Sequence, residues 1–317
     1  MTHFQERASE PMKRDRTSFS RFLDDSFVRL TGGFAVLIAL LLLVIALRVG
    51  IDASPAISKF GLGFLFNSRW DPVNDVYAAF PQVYGTIVSA FLALFIAVPI
   101  GVGVAILLSE DLLPERLKLP IIFLVELLAA IPSVVYGLWG IFVLIPILRE
   151  AGGFVNQALG WIPIFGTKPS GPGMYVAALI LAIMVLPIIT AISRDALIAV
   201  PSELRQAAYG LGATRWETIL KVILPTAFSG IIGGIMLALG RAMGETMAVT
   251  MVIGNANQVN LSIFDQGSTV SSLLANQFTE ASGLQVASLM YAALILFALT
   301  LVVNVLAQLI VSRVNRI

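Results

Sequence analysis

The chain contains no cysteine. That absence excludes disulfide scaffolds, thiolate-held metals, iron–sulfur clusters and thiol nucleophiles together. A single histidine, His3, lies in a polar N-terminal stretch, so zinc sites and Ser/His/Asp catalysis lose the residue they most often use. Charge is scarce as well: 12% of the 317 residues are Asp, Glu, Lys or Arg, against roughly 25% in soluble domains. A domain of this size in water needs a polar shell that such a composition cannot supply. The solvent for most of the chain is therefore lipid, no metal or cofactor site is expected, and nothing in a net charge of +1 points to a nucleic-acid partner.

What is present is a series of long apolar runs. Residues 1–31 form a polar tail, and uncharged or nearly uncharged stretches follow at about 32–51, 83–108, 119–148, 174–192, 226–250 and 286–311. Each is near or above the roughly 20 residues that a spanning helix needs. The polar lead before the first run argues for a retained helix rather than a cleaved signal. With six spans, fourteen of the twenty basic residues fall on the face that holds both termini, five fall opposite, and Arg241 lies within a span. The positive-inside rule then puts both termini in the cytoplasm of a multi-pass inner-membrane protein. The expected fold is an all-α, six-span helix bundle. Pro99, Pro132 and Pro187 interrupt spans, which a bundle around a path tolerates and which ordinary membrane helices also show. Gly230 and Gly234, then Gly240 and Gly244, are spaced for close helix packing.

The segment 193–225 between the fourth and fifth spans is too regular for a loop. Pro201-Ser202-Glu203 is a helix start, with Ser202 able to cap and Glu203 favoured in the first turn. Leu204, Ala207, Ala208 and Leu211 share a face, a break follows at Gly210-Leu211-Gly212, and Thr214 can cap a second helix bearing Trp216, Ile219, Leu220 and Ile223. The pair either lies on the lipid surface or docks a soluble partner. Its residues resemble the "EAA" loop of ABC-importer permeases. Gln206-Ala207-Ala208, three residues, Gly212, nine residues and Val222-Ile223-Leu224-Pro225 keep that spacing throughout, with Gln206 and Val222 departing from the usual glutamate and isoleucine. The resemblance implies a type I importer permease whose coupling helix, with Glu203, Gln206, Ala207, Ala208, Gly212, Trp216, Leu224 and Pro225, inserts into a cytoplasmic ATPase. The chain has no G-x-x-x-x-G-K-[ST], so it has no P-loop of its own and hydrolysis must come in trans.

Arg241 and Glu245 lie within the fifth span. A charge at helix centre costs about 2.5–3.5 kcal/mol on insertion scales, so each needs a partner or water. Four residues apart on one helix face, they either neutralise each other or meet a solute. The arginine fork suits a tetrahedral oxyanion, and a neighbouring carboxylate suits one that still carries a proton, as phosphate does and sulfate does not. Glu126 is the third charge within a span; a structural bond there, to a neighbouring helix or to backbone freed before Pro132, competes with contact to the ion.

The run Gly240-Arg241-Ala242-Met243-Gly244-Glu245-Thr246-Met247-Ala248-Val249 resembles the phosphate-importer permeases. Trp70-Asp71-Pro72, Pro81-Gln82-Val83-Tyr84-Gly85-Thr86 and the run Glu126 to Gly137 resemble the PstC-type class among them. This resemblance implies a second, related permease of PstA type, two ATPase copies and a periplasmic phosphate-binding protein as partners. Competing readings are a permease for phosphonate or sulfate, and a proton-coupled secondary carrier. An intramembrane enzyme is disfavoured, since the carboxylates are scattered among spans without histidine or cysteine.

Overall fold

The computed structural model describes residues 18–110 and 112–314. His3, Arg7, Lys13, Arg14, Arg16 and Arg316 lie outside the described residues. The first apolar run becomes α1, Ser18–Phe60. Residues 18–31, expected in the solvated tail, are helical, because Phe22, Leu23, Phe27, Val28 and Leu30 extend the apolar content and no proline interrupts the helix before Pro55. The residues up to Arg48 form a unit by themselves, and their described side chains are almost all exposed.

The second unit, from Val49 onward, contains every other helix. These begin with α2 (Phe80–Ser109), α3 (Glu115–Ala130), α4 (Ser133–Trp139), α5 (Ile145–Leu159) and α6 (Met174–Ile198). The short α7 (Ser202–Gly210) and α8 (Arg215–Thr218) precede α9 (Leu224–Gly244). Then come α10 (Met247–Val252), α11 (Val270–Gln277) and α12 (Leu284–Val314). Among the described residues, β pairing is limited to two isolated bridges.

Six helices are long and apolar enough to cross a membrane: Phe22–Leu65, Phe80–Ser109, Ser133–Leu159, Met174–Ile198, Arg215–Gly244 and Leu284–Leu309. The third differs from the nearly uncharged stretch 119–148. The chain leaves helical geometry at Ile131 and Pro132, both extended, so α3 has only 16 residues, about 24 Å at 1.5 Å per residue. The long helix starts at Ser133 and runs on through Arg149 and Glu150. Two of the six contain a π-helical turn, Gly140–Leu144 and Ile219–Ile223, each just ahead of a proline, Pro146 and Pro225. Proline lacks the N–H for the usual bond and crowds the carbonyl four residues back; the wider π turn accommodates both without ending the helix.

Helices α2, α6 and α9 make the centre, where van der Waals packing rather than escape from water drives association. Ile180, Leu181, Met184, Val185 and Ile189 of α6 are buried. A Cβ on Gly101 would stand 2.9 Å from Ile189, and Cβ atoms on Gly230 and Gly234 would stand 2.5 and 3.0 Å from Ala196 and Ile192. The first glycine pair therefore packs α9 on α6. The second does not: among the described residues, no neighbouring element lies within 4 Å of a Cβ at Gly240 or Gly244.

At the start of α2, the run Pro81 to Thr86 acts as a clasp for the segment between α10 and α11. Gln82 Nε2 donates to Asn257 Oδ1 at 2.8 Å, Tyr84 OH donates to the Asn260 carbonyl at 3.2 Å, and Thr86 Oγ1 accepts from Val270 N–H at 3.0 Å. Gly85 admits the Ser268 carbonyl directly against its backbone. Trp70 likewise ties the α1–α2 connection to α11, donating from Nε1 to Gln277 Oε1 at 2.6 Å. Next to it, Asp71 closes a turn by accepting from Asn74, Arg69 and Val73. The Asn74 side chain first and the Arg69 guanidinium second hold its carboxyl down at about 2. A depressed carboxyl stabilises the turn above its unfolded value near 3.9, and that contribution is lost as pH falls toward about 2.

Candidate transport path and coupling surface

Arg241 sits on the last turn of α9, exposed on this chain, and lines a cavity of about 670 Å³ together with Gly233, Met236, Gly240, Ile188 of α6 and Asn304 of α12. Among the described residues its guanidinium has no hydrogen bond or ion pair. An unpaired arginine in a span is costly, so a cavity wide enough for water or a solute is what permits it. Glu245 is not one turn above it on the same face. The helix ends at Gly244, and Glu245 is extended with ψ 127°, so its carboxylate turns to the N-terminus of α10 and accepts from Ala248 N–H at 3.4 Å. The mutual neutralisation allowed by the four-residue spacing does not occur, because the helix on which that spacing counts stops between the two charges.

Glu126 lies exposed on α3 and, among the described residues, bonds neither a neighbouring helix nor freed backbone. Its neighbour Pro132 is the N-cap of α4. The local bond expected for Glu126 is absent because the break at Ile131 and Pro132 is satisfied otherwise: Tyr136 OH donates to the Leu128 carbonyl at 2.8 Å.

At the other end of α9, the helix pair expected between the fourth and fifth spans is α7 and α8. Ser202 is the first helical residue and caps nothing; Pro201 takes the N-cap position. Gly212, at φ +84°, ends α7 in a Schellman turn, with Ala213 N–H on the Ala208 carbonyl at 3.0 Å and Gly212 N–H on Tyr209 at 2.9 Å. Thr214 does cap α8, and Glu217 completes a reciprocal capping box. The T-x-x-E pattern that marks Glu217 is legible in the sequence. Of the pattern residues, Glu203, Gln206, Ala207, Gly212, Trp216 and Pro225 are exposed, Leu224 is half-buried and Ala208 is buried. The two expected apolar faces are split: Ile219 and Ile223 are buried, whereas Leu211 and Trp216 are 90% and 58% exposed. Among the described residues, nothing covers this apolar surface.

Arg205, which spacing alone did not single out, anchors the pair. Its guanidinium donates to the Val200 carbonyl at 2.6 Å, to the Leu197 carbonyl at 2.8 Å and to Glu110 Oε1 at 3.2 Å. The Leu197 carbonyl, which also accepts from Val200 N–H at 3.3 Å, and the Val200 carbonyl lie at the end of α6 and just past it, and Glu110 is the C-cap of α2. One side chain thus fixes α7 to two central helices.

The arrangement of these spans, with a helix pair standing between the fourth and fifth, is that of an ABC-importer permease. The chain superposes on the inward-facing MetNI methionine ABC transporter with a TM-score of 0.53 at 21% identity, over 74% of this chain and 94% of that one. It superposes on a bacterial alginate ABC transporter with a TM-score of 0.58 at 14% identity, over 90% and 95%. Identities this low speak to the fold alone. The chain belongs to the family of binding-protein-dependent transport system inner membrane components, which it matches over residues 97–316. Among curated relatives, the phosphate transport system permease protein PstC of Pasteurella multocida is 44% identical over 92% of each chain. The PstC of Haemophilus influenzae is 42% identical over 96% of this chain and 98% of its own.

Proposed function

We propose that the chain is the permease subunit of an ATP-driven importer that passes inorganic phosphate across the inner membrane. The observation that carries this is Arg241, unpaired and facing a cavity in a chain whose relatives are named as phosphate permeases. The planar guanidinium offers paired N–H donors to two oxygens of one tetrahedral anion, and scarcity of water strengthens each bond. Glu245, held at the α10 N-terminus, leaves one carboxylate oxygen as an acceptor for the proton on hydrogen phosphate. Sulfate brings no such proton and meets only repulsion there. Replacing Glu245 by Gln should cut the preference for phosphate over sulfate by about tenfold, equivalent to about 1.4 kcal/mol, in competitive uptake assays. An unchanged preference would refute this role for Glu245.

Hydrolysis is supplied by two copies of a cytoplasmic ATPase seated on residues 202–224, beside a second, related permease and a periplasmic phosphate-binding protein. Both termini lie in the cytoplasm, as the distribution of basic residues argues. The exposed Leu211 and Trp216 supply an apolar anchor for the ATPase. Trp216→Asp should lower uptake about tenfold and weaken co-purification of the ATPase, with thermal stability within about 0.5 kcal/mol of the parent, as for other exposed sites. Normal transport by this variant would remove the docking assignment.

A further inference from the structure

Helix α12 is apolar almost throughout, yet it carries two amides one turn apart, Asn304 and Gln308, both exposed on this chain. Among the described residues neither has a hydrogen-bond partner. An amide facing lipid with no partner is costly, so this face of α12 meets something polar. Asn304 lines the Arg241 cavity. Asn304 and Gln308 together line a second cavity of about 290 Å³, which shares Gly233 and Met236 with the first and adds Ser229 of α9. Ser229, Gly233, Met236, Gly240 and Arg241 recur at helical spacing on one face of α9, and the glycines leave it shallow. The two cavities are thus successive parts of one groove that runs from Arg241 toward the end of α9 adjoining the coupling helices. Each volume far exceeds the ~30 Å³ share of one water molecule.

We propose that Asn304 and Gln308 line the exit path of the transported oxyanion between Arg241 and the cytoplasm. The inference rests on the phosphate reading of Arg241 given above. The chemistry suits release: an amide offers two N–H donors to phosphate oxygens and a carbonyl to the anion's own proton, without net charge. Conduction needs sites strong enough to be entered and weak enough to be left, and a second arginine here would trap what the first had bound. The rival occupant of this face is a helix of the second permease, hydrogen-bonded to the same amides.

Because the chain has no cysteine, single substitutions test the path directly in the assembled transporter in membranes. Asn304→Cys and Gln308→Cys variants are exposed from the cytoplasmic side to a small anionic sulfonate thiol reagent, and the modified peptide is quantified by mass spectrometry. Val302→Cys, two residues from Asn304 and therefore about 200° around the helix, is the control. The path predicts modification of Asn304→Cys and Gln308→Cys roughly tenfold faster than of Val302→Cys, the counterpart of about 1.4 kcal/mol, slowing when phosphate is added and not when sulfate is. Rates equal to the control, or rates indifferent to phosphate, would overturn the proposal. Asn304→Leu with Gln308→Leu separates the rival: reduced uptake in an intact complex supports the path, whereas loss of the second permease on purification assigns the face to helix packing. Arg241→Gln keeps the two readings apart. Full uptake by that variant, with phosphate protection at Asn304→Cys retained, would defeat the Arg241 reading and leave the path standing; lost uptake in Arg241→Gln, with no phosphate protection of Asn304→Cys in the parent, would do the reverse.

Discussion

Arg205→Ala is expected to destabilise the protein by about 3 kcal/mol, the lower end of the cost of breaking a buried ion pair by removing one partner. The side chains of Arg205 and Glu110 are 21% and 8% exposed, so deleting the guanidinium strands a carboxylate that water reaches poorly, takes the side-chain donor from the Val200 carbonyl and leaves Leu197 with its backbone bond alone. The lower end is appropriate because Arg205 keeps some contact with solvent. Glu110→Gln should cost less, since a neutral amide still accepts from Arg205 and needs less solvation. The double variant Arg205→Ala with Glu110→Gln should recover part of the loss, and that recovery is the coupling energy of the pair. Thermal unfolding of the four proteins in one detergent measures it. Strictly additive losses would mean that Arg205 acts only through the two carbonyls. Transport carries a second consequence. With α7 released from α2 and α6, motion of a docked ATPase would reach only α9, so ATP hydrolysed per phosphate moved should rise in Arg205→Ala even where the protein remains folded.

How far the sequence anticipated these features depends on the range of the interaction involved. Apolar runs announce spans because lipid punishes any other choice, and the fold class was legible for that reason; the helix pair between the fourth and fifth spans was legible from its own turn and cap residues, Gly212 and Thr214. The third span is displaced because a charged residue need not end a membrane helix. Arg149 and Glu150 lie within the Ser133–Leu159 helix, while Ile131 and Pro132 break the nearly uncharged stretch 119–148. Arg241 was legible as a charge where charge is expensive. Its relation to Glu245 was not, since only the turn at Gly244 and Glu245 decides that the two diverge. Arg205 and Glu110 are 95 residues apart, and no local pattern pairs them. Asn304 and Gln308 did carry a signal, two amides at i and i+4 in an apolar helix, that becomes informative once α12 is seen beside Arg241.

Gly85→Ala should be as damaging as Arg205→Ala, at about 3 kcal/mol, the upper end of what forced overpacking usually costs. An ideal Cβ at Gly85 would fall 2.1 Å from the Ser268 carbonyl oxygen and 3.1 Å from its carbon. The obstacle is backbone, so no rotamer change relieves it, and either α2 or the segment 254–269 must move. That movement would pull Val270 N–H from Thr86 and Asn257 from Gln82, since both bonds are made within one turn of Gly85. The effect should then spread to the transport path. Ser271 Oγ reaches the Met243 carbonyl at 3.5 Å, so α11 backs onto the last turn of α9, which bears Arg241, and onto the break that orients Glu245. Gly103 is the internal control: it lies in the same helix, no described residue of a neighbouring element stands within 4 Å of a Cβ there, and Gly103→Ala should be neutral or stabilising by up to about 1 kcal/mol through helix propensity. Thermal unfolding compares the two, and limited proteolysis within 254–269 reports whether the clasp has opened. A Gly85→Ala protein that unfolds at the parent temperature with that segment still protected would show that the close approach does not position the segment, and the run Pro81 to Thr86 would need another explanation.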